Sequence, residues 1–178
     1  MTAQAVQNQI CVYFGGPYDY PTRSYRTPQV PGLGVVRRAF PKREDEAEFF
    51  LSTGPGVGLG SAMVVWLVDG DERRIAFAGA TDGRKRVAYQ VQLHLFVRCK
   101  LDHAEDGQDY AYGLLDAIRD HIHADRTCGS GGFEVGGFQV GEGDAPQFRW
   151  HLEQANTSED VTDLYMRIET DALEIIAA

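Results

Sequence analysis

Gly54-Pro55-Gly56-Val57-Gly58-Leu59-Gly60-Ser61 is dense enough in glycine to fold backbone N–H groups around a phosphate. A phosphate loop also needs a lysine directly before its Ser or Thr, and Gly60 holds that place. A dinucleotide fingerprint must lead from a strand into a helix, whereas the residues from Ala62 onward read as a strand. The glycines therefore predict a flexible or tightly turning loop. His121 and His123 are of the type that pairs on a metal. Side chains two apart on a helix point about 200° away from each other, so they cannot share an ion. Asp102, His103, Glu105, Asp106 and Asp109 crowd acid into one short stretch, but not at the spacing of a calcium loop. A solvated turn is expected there.

Nucleophiles fare no better. Ser61 is followed by Ala62-Met63 and Ser130 is preceded by Gly129-Cys128, so neither sits in a Gly-x-Ser-x-Gly elbow. Cys11, Cys99 and Cys128 are far apart and form no C-x-x-C pair, which predicts buried or idle thiols. With 26 acidic residues, some carboxylates lie close by chance, and their number says nothing about acid–base chemistry. The sequence calls for no catalytic residue, no cofactor and no metal.

The bulk properties narrow the class further. A chain of 178 residues with 43% hydrophobic content can bury one good core, and a single domain is expected. A formal charge of −9 argues against a sequence-independent grip on nucleic acid, which needs a Lys/Arg surface to displace counterions. It does not stop DNA from passing by unheld. No apolar run approaches the roughly 20 residues of a membrane-spanning helix. Met1-Thr2-Ala3-Gln4-Ala5 lacks a basic segment followed by an apolar one, so the chain is expected to be cytosolic when made.

Along the chain, residues 10–14 read as a short strand. Residues 15–34 carry Pro17, Pro21, Pro28 and Pro31 with Tyr18, Tyr20 and Tyr25 between them. Four prolines forbid a helix or a central strand there, and the tyrosines favour an arm that docks on a neighbour. Residues 35–40 predict a brief strand. Residues 42–51 predict a short helix opened by Pro41, with acids in its early turns. Residues 62–68 are apolar on both faces, Asp69-Gly70 is a hairpin signal, and residues 73–79 supply the returning strand. Thr81-Asp82-Gly83 turns the chain again.

From Arg86 to Lys100 the pattern alternates. Val87, Tyr89, Val91, Leu93, Leu95, Val97 and Cys99 share one side, and mostly polar residues fill the other. At ~3.3 Å per residue such a strand runs roughly 50 Å. The radius of gyration expected for this length is about 16 Å. The strand must bend or project, and projection would offer an edge to a partner. Asp106 is the expected N-cap of a helix reaching about Ala124, with Tyr110 or Ala111, Leu114, Leu115, Ala117, Ile118 and Ile122 as its apolar stripe. Short strands are expected over residues 133–140 and 147–153. Residues 162–170 predict another strand, with Leu164, Met166 and Ile168 inward, continued by the apolar tail 172–178. The fold class is α+β: a mainly antiparallel β-sheet packed against one principal helix, with a Pro/Tyr-rich N-terminal arm. Residues 1–50 form the arm or loop-rich segment and residues 60–175 the α+β core.

The element order over residues 60–175 resembles that of tail terminator and related tail-completion proteins of long-tailed bacteriophages. The resemblance lies in three places: Arg84-Lys85 leading into Val87-Ala88-Tyr89-Gln90-Val91-Gln92-Leu93, the helix Asp109-Tyr110-Ala111-Tyr112-Gly113-Leu114-Leu115-Asp116-Ala117-Ile118, and the closing strand Asp163-Leu164-Tyr165-Met166-Arg167-Ile168. It implies a structural virion protein of the tail or neck, made in the host cytoplasm. Its partners would be further copies of itself in a ring of about six, the tail tube protein and the head–tail connector. DNA would pass through the lumen without specific binding, and no membrane is involved. No catalytic residue carries over.

The subunit interface is expected at Tyr18, Tyr20 and Tyr25, and along one sheet edge near Arg98 and Lys100. Another neck or head–tail connector subunit is the alternative within the same class. A small enzyme would need a deep pocket with converging polar groups, and a ligand-binding protein would use residues 15–34 as a lid.

Overall fold

Alternation at every second residue buries Tyr89, Val91, Leu93, Leu95, Val97 and Cys99 on one side of a single long strand, and the rest of the fold is arranged around it. The computed structural model describes residues 1–16, 18–19, 24–25, 27–40, 51–52, 58–76, 83–129, 132–136, 148–158 and 160–177. In chain order these make helix α1 (Ala3–Tyr13), β1 (Tyr18–Asp19), β2 (Ser24–Tyr25), β3 (Val35–Arg37), β4 (Leu51–Ser52), β5 (Leu59–Ala76) and β6 (Arg84–Cys99). Helix α2 (Ala104–Ala124), β7 (Glu134–Val135), β8 (Arg149–Thr157) and β9 (Thr162–Ala177) follow. The fold is α+β, mostly a curled sheet with two helices.

β6 lies in the middle of the sheet. β5 pairs with it antiparallel from Leu59↔Cys99 to Ala76↔Arg84, and β9 pairs on its other side from Cys99↔Thr162 to Arg84↔Ala177. These three strands form a long blade. β3 joins β5 in parallel and β4 joins it antiparallel, while β7 and β8 both pair with β9. β1 and β2 form a separate two-stranded ladder.

Several sequence expectations are corrected here. Asp69-Gly70 is not a hairpin turn: β5 runs straight through it, and the chain reverses between Ala76 and Arg84. The long partner β6 outweighs the local turn preference. The dipeptide is absorbed beside a bulge between Leu67 and Asp69, with Gly70 N–H donating to the Asp69 carboxylate at 2.7 Å. Leu59, Gly60 and Ser61 belong to β5 rather than to a glycine loop, and residues 54–57 lie outside the described residues. The strand expected over residues 10–14 is instead the end of α1.

Thr2 caps α1 through its hydroxyl, which accepts from Ala5 N–H at 3.2 Å. Val6, Ile10 and Phe14, spaced by four, are fully buried with Cys11 in the main core. The amino-terminal residues are therefore partly core, not one extended arm. α2 is the larger helix, but α1 covers the same face of the sheet, so the sheet packs against two helices.

α2 begins after His103, not at Asp106. Glu105 and Asp106 sit in its first turn, where their charge complements the helix dipole. Of its expected stripe, Ala111, Leu114, Leu115, Ile118 and Ile122 are buried, while Tyr110 and Ala117 are half-buried and pack against the core. The brief strand at residues 35–40 is Val35–Arg37. β7 covers only Glu134–Val135, with residues 137–140 outside the described residues, and β8 reaches Thr157. The helix expected over 42–51 lies outside them too, except that Leu51 begins β4. β9 continues through the apolar tail to Ala177.

Candidate assembly surfaces

Arg98 stands on β6 directly opposite Asp163 of β9, and the two join in a bidentate pair, Nε–Oδ1 at 2.7 Å and Nη2–Oδ2 at 2.8 Å. The expected placement of Arg98 at a sheet edge is corrected accordingly. β6 is central, so Arg98 is on no sheet edge, and its guanidinium ties two neighbouring strands together. Lys100 follows the end of β6 and is exposed. Its N–H donates to the Gly58 carbonyl at 2.7 Å, which seals the end of the β5–β6 ladder. It too lies at the end of central strands rather than along an edge. Tyr18 and Tyr25 are register partners in the β1–β2 ladder, and Tyr20 lies outside the described residues.

The other residues weighed for chemistry make contacts within the fold. Ser61 is fully buried, and its Oγ accepts from Gly34 N–H at 3.0 Å and lies 3.2 Å from both the Gly32 carbonyl and the Tyr110 hydroxyl. It pins residues 32–34 to β5 and α2. His121 stacks on Tyr13 at 4.2 Å, its Nε2 lies 3.1 Å from the Tyr13 carbonyl, and the Tyr13 hydroxyl donates back to the His121 carbonyl at 2.6 Å. This clasp joins α1 to α2. His123 is exposed and meets Phe148 edge-on at 5.3 Å. Among the described residues no three His, Cys, Asp or Glu side chains gather as a metal would require. All three cysteines are buried free thiols, and burial pushes the Cys128 thiol up to about 12.

Two surfaces that the sequence does not single out remain. The first lies on the face of the sheet away from α1 and α2. His94, on β6, is buried; its Nδ1 lies 2.6 Å from the Tyr165 hydroxyl of β9, and the two rings stack. Phe40 meets His94 edge-on at 4.8 Å and Trp66 at 5.5 Å, while Phe96 stacks on Tyr165 at 4.8 Å. Burial, then the nearby Arg167 charge, hold the His94 pKa below its ordinary 6.5, with Glu153 pulling the other way.

A lowered imidazole pKa favours the neutral ring in the folded state. The stability it supports is complete above 6.5 and declines as pH falls below that value toward the lower folded pKa. His94→Gln is expected to flatten this part of the profile when denaturation midpoints are compared with the parent across the same pH series. Parallel curves would mean that His94 does not control acid sensitivity.

The second surface is β8. Every residue along it is exposed, including Trp150 at 50% and Leu152 at 44%. Trp150 pairs with Ile168 and Leu152 with Met166, so both stand on the helix-covered face. Beside Trp150 a shallow apolar cleft is lined by Leu115, Ile118, Phe148 and Ile168, with Arg119 at its rim. On the opposite face Glu153 pairs with Arg167 at 2.9 Å, and Arg167 also reaches Glu169 at 3.2 Å.

The end of the blade is also open to water. Asp71, Glu72 and Arg73 on β5 and Arg84 on β6 are exposed, Lys85 holds Glu72 at 2.8 Å, and Ile175 is 59% exposed. The β8 strand itself is readable in the sequence, but which strands stand at the edges is not. No protein-family model matches the chain, and no curated protein is significantly similar to it.

Proposed function

We propose that this chain is a non-catalytic structural subunit that assembles as a ring on the tail tube of a long-tailed bacteriophage and joins it to the head connector. The blade supports this reading most. Three strands of 18, 16 and 16 residues run side by side, and at their charged tip β5 has no other partner than β6 among the described residues. At ~3.3 Å per residue the blade is longer than a globule of this size needs for its own core. A head-to-tail ring requires two different surfaces on each copy, and a projecting blade with a separate Tyr18–Tyr25 ladder supplies candidates for both. The net charge of −9 suits a lumen through which DNA slides without sticking. The deciding side chains of the described residues serve packing and strand pairing, and none converges on a pocket with shifted acids and bases.

The test is the mass of the purified protein by light scattering, alone and with purified tail tubes, with negative-stain imaging of any large species. Rings that cap tubes are the expected result. Alanine at Tyr18, Tyr20 and Tyr25 together should reduce capping while leaving the far-ultraviolet circular dichroism unchanged. A protein that ignores both tubes and connectors would overturn the reading. Binding to connectors alone would replace it with another neck subunit.

A further inference from the structure

β8 offers its outer side to solvent along all nine residues, and among the described residues no strand pairs with that side. A bare edge presents unpaired N–H and C=O groups and is a template for another strand. Natural edges are commonly blunted by lysine or proline. Arg149-Trp150-His151-Leu152-Glu153-Gln154-Ala155-Asn156-Thr157 contains neither, and it exposes two large apolar side chains.

The first five residues are their own complement. Laid antiparallel on a second copy about a two-fold axis at His151, Arg149 stands opposite Glu153 and Trp150 opposite Leu152, and each pair occurs twice. The faces agree as well. Arg149 and His151 are in register with Glu169 and Arg167, and Glu153 bonds Arg167, so the charged residues share the face away from the helices. Trp150 and Leu152 share the other face, in register with Ile168 and Met166. Opposite-charge pairs and aromatic–aliphatic pairs directly across two strands are both stabilising, and like charges there are not. The bulge between Leu152 and Gln154 falls on Glu153, the last residue of the complementary run, so regular pairing is carried by Arg149 to Leu152.

The geometry points to a two-fold pairing of two copies of this chain through β8, antiparallel about His151, which joins their sheets edge to edge. Such an interface uses the same patch on both partners and closes on itself, so it yields a dimer and not a filament. It goes beyond the ring reading and does not depend on it, since the dimer belongs to the free chain in the absence of tubes.

Disulfide trapping tests the register. His151→Cys sets two thiols across the axis, where paired Cα atoms lie ~4.5–5.5 Å apart, within reach of a disulfide. The native cysteines are all buried. Mild oxidation should convert the His151→Cys variant to a covalent dimer and leave Thr157→Cys, at the far end of β8, unlinked. In sedimentation the parent protein should reach twice the chain mass as concentration rises. Leu152→Lys should remain at the monomer mass with unchanged circular dichroism. A parent protein that stays monomeric at every concentration would overturn the pairing, as would equal linking of the two cysteine variants. Loss of tube capping with the dimer intact would instead count against the ring reading alone.

Discussion

Phe14→Ala is expected to lower folding stability by about 3–5 kcal/mol, the range for removing a fully buried phenylalanine ring. Phe14 is completely inaccessible and closes α1 against the core, 5.4 Å from the His121 ring of α2 and 5.8 Å from its neighbour Tyr13. Its backbone N–H still bonds to the Ile10 carbonyl, and its own carbonyl accepts from Gln29 N–H at 2.9 Å. The loss would therefore undock α1 and the segment after it together. Denaturant titration should show a lower midpoint with an unchanged slope, because the same surface is exposed on unfolding. A cost under about 1 kcal/mol would mean that the α1 end is not packed as described.

Gly15→Ala is the second large effect, about 2–5 kcal/mol, and it arises from the backbone. Gly15 has φ of +92°, a region that side chains rarely enter. A methyl group there would also lie 2.4 Å from the Thr27 carbonyl oxygen and 2.6 Å from the Pro28 Cα, backbone atoms that cannot rotate aside. The close approach lets residues 27–29, twelve or more positions further along the chain, lie against the end of α1 beside Phe14. The same titration measures it. A near-neutral Gly15→Ala would show that residues 27–29 do not press on this turn. The two variants touch one junction, so their costs should sum to more than the double variant shows.

The blade and the main helix were legible in the sequence because each carries its period over a long stretch. Val87 to Cys99 alternates for thirteen residues, and Leu114, Leu115, Ile118 and Ile122 repeat at helical spacing. α1 was not legible as read. Ile10-Cys11-Val12-Tyr13-Phe14 is a short apolar run, which looks like a strand unless the spacing of Val6, Ile10 and Phe14 behind a Thr2 cap is weighed instead. Asp69-Gly70 misled for a physical reason: turn preference is worth little against sixteen residues of pairing with β6. The candidate assembly surfaces were the least legible. Arg98 and Lys100 look like edge residues until β9, which begins more than sixty residues after the end of β6, occupies the far side of that strand. Trp150 and Leu152 are in register with the buried Ile168 and Met166 yet stay half-exposed, which the strand pattern of residues 147–153 does not reveal.

The placement of β9 carries a consequence for how the protein is made. β6 is the central strand, yet one of its two neighbours follows every other described strand in the chain. While the ribosome works through α2, β7 and β8, the β5–β6 hairpin waits with the whole inner side of β6 unpaired and its apolar row uncovered. Contacts this distant in sequence form slowly, and a waiting edge of this kind is exposed to aggregation. Nascent chains halted before Thr162 should therefore engage chaperones strongly, and the yield of soluble protein should depend on growth temperature more than the finished fold's stability would suggest.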